Sequence, residues 1–146
     1  MSVQALARPD NYNMLDPLTQ LCINYDCDKW GAKHSYTRWY YDTFAARAAT
    51  VRKVVEIGVG EGRSLRMWRD FFPNAHIYGM DVAARRVFQE ERITVYKGNQ
   101  HSVHNLTALV DTVGQDIDLF IDDASHRPPD QAFTCATVMP LLGRGA

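Results

Sequence analysis

Residues Val54-Val55-Glu56-Ile57-Gly58-Val59-Gly60-Glu61-Gly62 place a short apolar run ending in an acid directly before three alternating glycines. An apolar run of this kind suits a strand buried on both faces of a parallel sheet, and the glycines suit a turn where backbone approaches a ligand closely. The pairing predicts a nucleotide-type cofactor at the end of the first strand. A second apolar stretch, Ile77-Tyr78-Gly79-Met80, ends in Asp81, twenty-five residues after Glu56. Strand, turn and helix need that separation before the next parallel strand ends, and a carboxylate there can accept from both hydroxyls of a ribose.

The rest of the chain keeps this rhythm. Asp16-Pro17 reads as a helix start over residues 16–25, and Trp39, Tyr40, Phe44 and Ala48 recur at helical spacing over 35–49. Strands are expected at 51–57, 75–80, 92–96 and 117–121, with helices at 63–70 and 103–112 between them. Pro128-Pro129 interrupts the chain before a last helix at 130–141, and residues 1–15 read as a loose lead-in. Alternating strands and helices imply a doubly wound parallel sheet, in the order third, second, first, fourth, with ligands at the carboxyl ends of its strands. Glu56, Asp81, Asn99, Asp122 and Asp123 all fall at such ends. The final Gly143-Arg144-Gly145-Ala146 reads as a turn toward a fifth strand, so the domain is expected to be truncated.

Composition narrows the partners. With 146 residues and a net charge of −1, the chain has one core's worth of sequence and no basic stripe for a phosphate backbone. No apolar run is long enough for a membrane span, and the expectation is a cytoplasmic protein binding a small molecule, with neither nucleic acid nor membrane as partner; assembly as a homo-oligomer stays open. Cys22, Cys27 and Cys135 are too scattered for a disulfide framework or a zinc site and are expected as reduced, mostly buried thiols.

The fourth strand delivers Asp122-Asp123-Ala124-Ser125-His126-Arg127-Pro128. Two adjacent carboxylates and a nearby histidine can supply an oxygen ligand for a hard cation and a general base, or Asp123 and Ser125 can simply cap a turn. Neighbouring strand residues face opposite ways, so Asp122 and Asp123 are not expected to share one job.

The spacing E-x-G-x-G-x-G, followed by Asp81, resembles class I S-adenosylmethionine-dependent methyltransferases. Further resemblance lies in the string from Asp118 to Pro128, in Ser64 to Ala75, and in Asp28-Lys29-Trp30-Gly31-Ala32-Lys33-His34-Ser35-Tyr36. Together these resemble the metal-dependent sugar O-methyltransferases of macrolide and polyketide biosynthesis, the mycinamicin and rhamnosyl type, with cephalosporin hydroxylase-like proteins as relatives. The resemblance implies a Rossmann-like domain over residues 51–146 behind a helical lead-in and cap at 1–50. It implies S-adenosylmethionine held by Glu56, Gly58, Gly60, Gly62, Ser64, Asp81, Asn99, Gln100 and Asp122. It assigns Asp123 to magnesium or manganese, the remaining metal ligands falling past Ala146, and His126 to the general base. His34 and Tyr36 are carried over as substrate-lining residues, with aromatic packing as the other reading. The chemistry so implied is methyl transfer to a hydroxyl of a sugar or polyketide natural product. A nicotinamide oxidoreductase, a hydroxylase-like relative and a non-catalytic fragment are the alternatives.

Overall fold

The computed structural model describes residues 9–31 and 35–143. Its elements are α1 (Pro17–Asn24), α2 (Tyr36–Phe44), β1 (Lys53–Ile57), α3 (Arg63–Phe71), β2 (His76–Asp81), β3 (Gln89–Glu90), β4 (Ile93–Lys97), α4 (Val103–Val113), β5 (Leu119–Asp122) and α5 (Pro128–Val138). The sheet runs β3-β4-β2-β1-β5, parallel except for the β3–β4 hairpin. The four long strands therefore take the order expected from their spacing, and the fold is Rossmann-like.

Alternation along β1 builds the two halves of the core. Val54 faces α1, α2 and α3, packing with Leu18, Phe44, Leu65, Trp68 and Phe72. Val55 and Ile57 face α4 and α5, packing with Leu106, Val110 and Val138. The strand's period of two thus sends Glu56 to the α3 side. Leu65, Met67 and Trp68 of α3 have no exposed surface. Each such side chain contributes about 1.5 to 3 kcal/mol by leaving water, so α3 is firmly seated and fixes the glycine turn that precedes it. Tyr40 of α2 meets Trp68 edge-on at 5.0 Å between ring centroids.

At the other end of the sheet, the Asp118 carboxylate accepts from Arg52 N–H at 2.7 Å and Lys53 N–H at 3.0 Å. The Asp118 N–H donates to the Lys53 carbonyl at 3.0 Å. Together these set the pairing of β5 on β1.

Several expectations are corrected. The helix expected to run to residue 49 ends at Phe44 and tightens into a 3-10 segment, Ala45–Thr50, that turns the chain into β1. Pro128 and Pro129 do not interrupt anything: they open α5, where proline's fixed φ suits the first turn and its missing N–H is no loss. The third strand was expected to begin at Arg92, but Arg92 sits in the β3–β4 turn at φ +57. Its guanidinium donates to the carbonyls of Phe72, Ala75 and Arg69, which compensates that conformation. Residues 9–15 are pinned rather than loose, because Gln20 donates to the Tyr12 and Leu15 carbonyls. Cys135 is exposed, not buried, while Cys22 is buried.

Candidate functional site

The site begins at Gly58. Its φ is +88°, and a Cβ there would overlap the Asp123 carbonyl and the Ala124 Cα. The backbone leaving β1 therefore lies directly against the backbone leaving β5, at the point where the sheet's crossovers diverge to opposite faces. Gly62, at φ +76°, caps α3 with no side chain over the helix's first N–H groups. Between them the Val59 and Gly60 N–H groups donate to Asp81 Oδ2 at 3.0 and 3.2 Å, tying the turn to the end of β2. Asp81 Oδ1 accepts from Ala83 N–H at 2.8 Å, and Arg86 Nη1 donates to Oδ2 at 3.2 Å. Burial opposes the Asp81 charge, but the N–H groups of Ala83, Val59 and Gly60 and the Arg86 guanidinium hold its carboxyl below the usual carboxylate range.

Two clefts open on either side of this junction. The Asp81 cleft, about 380 Å³, is lined by Met80, Asp81, Val82, Gly98, Asn99, Gln100 and His101. The Asp123 cleft, about 420 Å³, is lined by Asp26, Cys27, Asp28, Gly60, Glu61, Arg63, Ser64, Asp123 and His126. Gly58, Arg86 and Ala124 border both. Each is within the size range of small-molecule sites.

Buried Gln100 braces the floor of the Asp81 cleft. Its Nε2 donates to Asp122 at 2.9 Å and to Thr134 Oγ1 at 3.0 Å, while its Oε1 accepts from Ser125 N–H at 3.1 Å. Asn99 is exposed beside it, its Oδ1 accepting from His101 N–H at 2.9 Å. The loop after β5 is secured in turn by Ser125 Oγ donating to Asp130 Oδ2 at 2.6 Å on α5.

Behind the Asp123 cleft lies a buried charge cluster. Lys29, only 5% exposed, donates to Asp123 Oδ2, and its Nζ is 3.7 Å from Glu56 Oε2. Glu56 is fully buried and accepts from the Ser64 hydroxyl and, at 2.8 Å, from Trp68 Nε1. Burial works against the Lys29 ammonium, yet the Glu56 and Asp123 carboxylates outweigh it and hold the lysine above its ordinary range. Burial pushes the Glu56 carboxyl up, and Lys29, Ser64 and Trp68 pull it partly back.

The sequence-derived candidates separate accordingly. Gly58, Gly60, Ser64, Asp81, Asn99, Gln100, Asp123 and His126 all border the paired clefts. Glu56 does not: strand parity points it toward α3, into a closed position among Lys29, Ser64 and Trp68. Asp122 points to the opposite face and borders neither cleft, its carboxylate engaged by Gln100, and Gly62 packs against Phe88. Tyr36 is exposed at the start of α2 and borders neither cleft, and His34 lies outside the described residues. Lys29 and Arg86 were missed. The first was visible only as a lone cation in D-K-W-G, the second only as a cation five residues after Asp81. Among the described residues no group of three His, Cys, Asp or Glu side chains converges on a metal position.

The chain is 36% identical over 135 residues to an 8-demethyl-8-alpha-L-rhamnosyl tetracenomycin-C 2'-O-methyltransferase of Streptomyces olivaceus. It is 35% identical over 135 residues to a mycinamicin VI 2''-O-methyltransferase of Micromonospora griseorubida. Each match takes in 88% of this chain. The solved MycE methyltransferase of the mycinamycin biosynthetic pathway, in complex with Mg, SAH and mycinamycin VI, superposes with a TM-score of 0.81 at 31% identity over 90% of the chain. The chain is a homologue of the sugar O-methyltransferases. This homologue spans about a third of the length of its curated relatives, 35% and 34% of the two above, and 36% of the MycE chain. No family model matches it. In an open parallel sheet ligands bind at the carboxyl edge, and both clefts lie there.

Proposed function

We propose that this chain provides the cofactor site and the catalytic base of an S-adenosylmethionine-dependent O-methyltransferase acting on a sugar hydroxyl of a small natural product. The observation that carries this reading is the meeting of the two clefts at Gly58 and Ala124, with Asp81 in one and Asp123 and His126 in the other. Asp81, Asn99 and the Gln100-braced floor would hold the adenosyl group, and the wall from Gly58 to Glu61 would hold the amino-acid end. The cofactor, when bound, supplies a methyl group on a sulfonium that leaves as a thioether when a hydroxyl oxygen attacks. His126, exposed on the wall of the Asp123 cleft, takes the hydroxyl proton as the oxygen–carbon bond forms.

Magnesium is held by the solved mycinamycin-pathway enzyme. Here Asp123 is the single β5-end carboxylate on the cleft wall, one of its oxygens is engaged by Lys29, and no three ligands converge among the described residues. These residues do not by themselves compose a magnesium centre, and the proton transfer to His126 is derived without one. No described helix is long and apolar enough to cross a membrane; a cytoplasmic location is part of what we propose and not a consequence of that observation. The test is calorimetric titration with S-adenosylhomocysteine and with NAD, followed by transfer of labelled methyl from S-adenosylmethionine to rhamnosyl glycosides. S-Adenosylhomocysteine is expected to bind and NAD not; NAD binding alone would overturn the reading.

A further inference from the structure

Asp81 has more donors than a ribose site can spare. A carboxylate offers about four lone-pair positions. Four donors already point at this one: Val59 N–H, Gly60 N–H, Ala83 N–H and Arg86 Nη1. Three of the four fall on Oδ2 and one, from Ala83, on Oδ1, so one sugar hydroxyl can reach Oδ1 as it stands and a second reaches Oδ2 only if a donor withdraws. The three backbone donors belong to the turn after β1 and the loop after β2, and cannot leave without unmaking those turns. Arg86 is different: it ends a three-residue 3-10 segment, Ala84–Arg86, and its side chain is 38% exposed.

The guanidinium also borders both clefts. Arg63, the other guanidinium on the wall of the Asp123 cleft, is engaged by Asp26 and Glu61. Asp81 is the acid paired with Arg86. A carboxylate arriving in the Asp123 cleft would thus meet one cation, among the described residues, that ribose binding releases.

We propose that Arg86 is a specificity-determining residue of the cofactor site: it stands in the ribose position of Asp81 in the free protein and transfers to the ligand's amino-acid carboxylate on binding. The inference rests on the cofactor reading above. It makes Arg86 a penalty for ligands that bring only a ribose and a partner for ligands that also bring a carboxylate. Adenosine alone must displace the guanidinium without return, whereas S-adenosylhomocysteine gives it a new counter-ion.

The experiment is calorimetric titration of wild type and Arg86→Gln with adenosine and with S-adenosylhomocysteine, thermal melts establishing that the variant folds. Adenosine is expected to bind the variant about 1.5- to 5-fold more tightly, the scale of a partly exposed ion pair. S-Adenosylhomocysteine is expected to bind it no more tightly, so that the preference for the larger ligand narrows by at least the same factor. Unchanged or weaker adenosine binding in Arg86→Gln would overturn the role of Arg86 alone. Wild type that binds neither ligand would overturn the cofactor reading, and this inference with it.

Discussion

Replacing Lys29 by Met keeps an unbranched apolar stem of similar length and removes the charged ammonium at its end, which isolates the buried ion cluster. Lys29 Nζ is 3.7 Å from a Glu56 carboxylate with no exposed surface. At an effective dielectric of about 20, two unit charges at that separation attract by roughly 4 kcal/mol. Removing one partner of a buried pair costs about 3 to 5 kcal/mol, because the other charge is left uncompensated. Against a domain stability of about 5 to 15 kcal/mol, that is a large fraction. Urea and thermal melts at pH 7 should show a lower midpoint, with Tm down by about 6 to 20 °C and an unchanged urea m-value. The sign of the pH dependence also follows. Burial raises the Glu56 carboxyl, and a group whose folded pKa is raised contributes stability below its unfolded value and loses it as pH rises through the folded one. Wild type and variant should lose stability in parallel just above the unfolded carboxyl value, and the variant should fall below wild type only as pH rises past the wild-type folded value, where Lys29 lets the wild-type carboxyl ionise and the variant's stays protonated. Adding Glu56→Gln should restore at least half of the loss, since Asp123 is partly exposed and can be hydrated. A single variant within about 1 kcal/mol of wild type would refute the view that Lys29 and Glu56 form a buried, mutually compensating ion pair.

Three further outcomes are expected. Gly58→Ala should abolish S-adenosylhomocysteine binding and lower Tm, because its Cβ meets the Asp123–Ala124 backbone at a positive φ; wild-type binding by calorimetry would contradict this. The Asp81 carboxyl lies below its usual range, so its contribution to stability is complete above about pH 3.9 and is lost as pH falls through the lower folded value; melts between pH 2 and 5 should show a shallower acid limb in Asp81→Asn. His126→Ala should lower kcat for methyl transfer by about 10² to 10⁴ while leaving S-adenosylhomocysteine affinity near wild type, and equal loss of both would make His126 a loop residue rather than a base.

What was legible in the sequence was whatever depends on periodicity and turn chemistry. The β1 run, the glycines after it and Asp81 locate the junction, because apolar strands and positive-φ turns leave marks in a single stretch of chain. Strand parity also separates Asp122 from Asp123, and the structure turns one toward Gln100 and the other toward Lys29. Glu56 could have been read the same way. Its parity partner Val54 is a core residue, so an acid two positions on had to be buried with a cation. Which cation was not readable, since Lys29 reaches Asp123 across 94 residues and sits in a segment with no period. The β3–β4 turn was hidden for a related reason: Arg92 adopts a left-handed φ, and the bonds that accompany it run from its guanidinium to the distant carbonyls of Arg69, Phe72 and Ala75.

The Asp118 clamp gives the protein a calibration point far from its chemistry. Asp118 is bonded to the backbone of Arg52 and Lys53, four residues before Asp122 and about 13 Å from it along the strand. β5 has a single strand neighbour, β1, within the described sheet, so its register rests on that ladder, on the Asp118 clamp at one end and on the Asp123 N–H donating to the Ile57 carbonyl at 2.9 Å at the other. A slip of one residue would exchange the faces of Asp122 and Asp123, sending the brace of Gln100 into the Asp123 cleft and the partner of Lys29 into the α4–α5 layer. The alignment of the cleft is thus indexed from the opposite end of the sheet, in the way a ruler is read from its zero. Variation at Asp118 should surface as altered ligand affinity with no residue of either cleft changed.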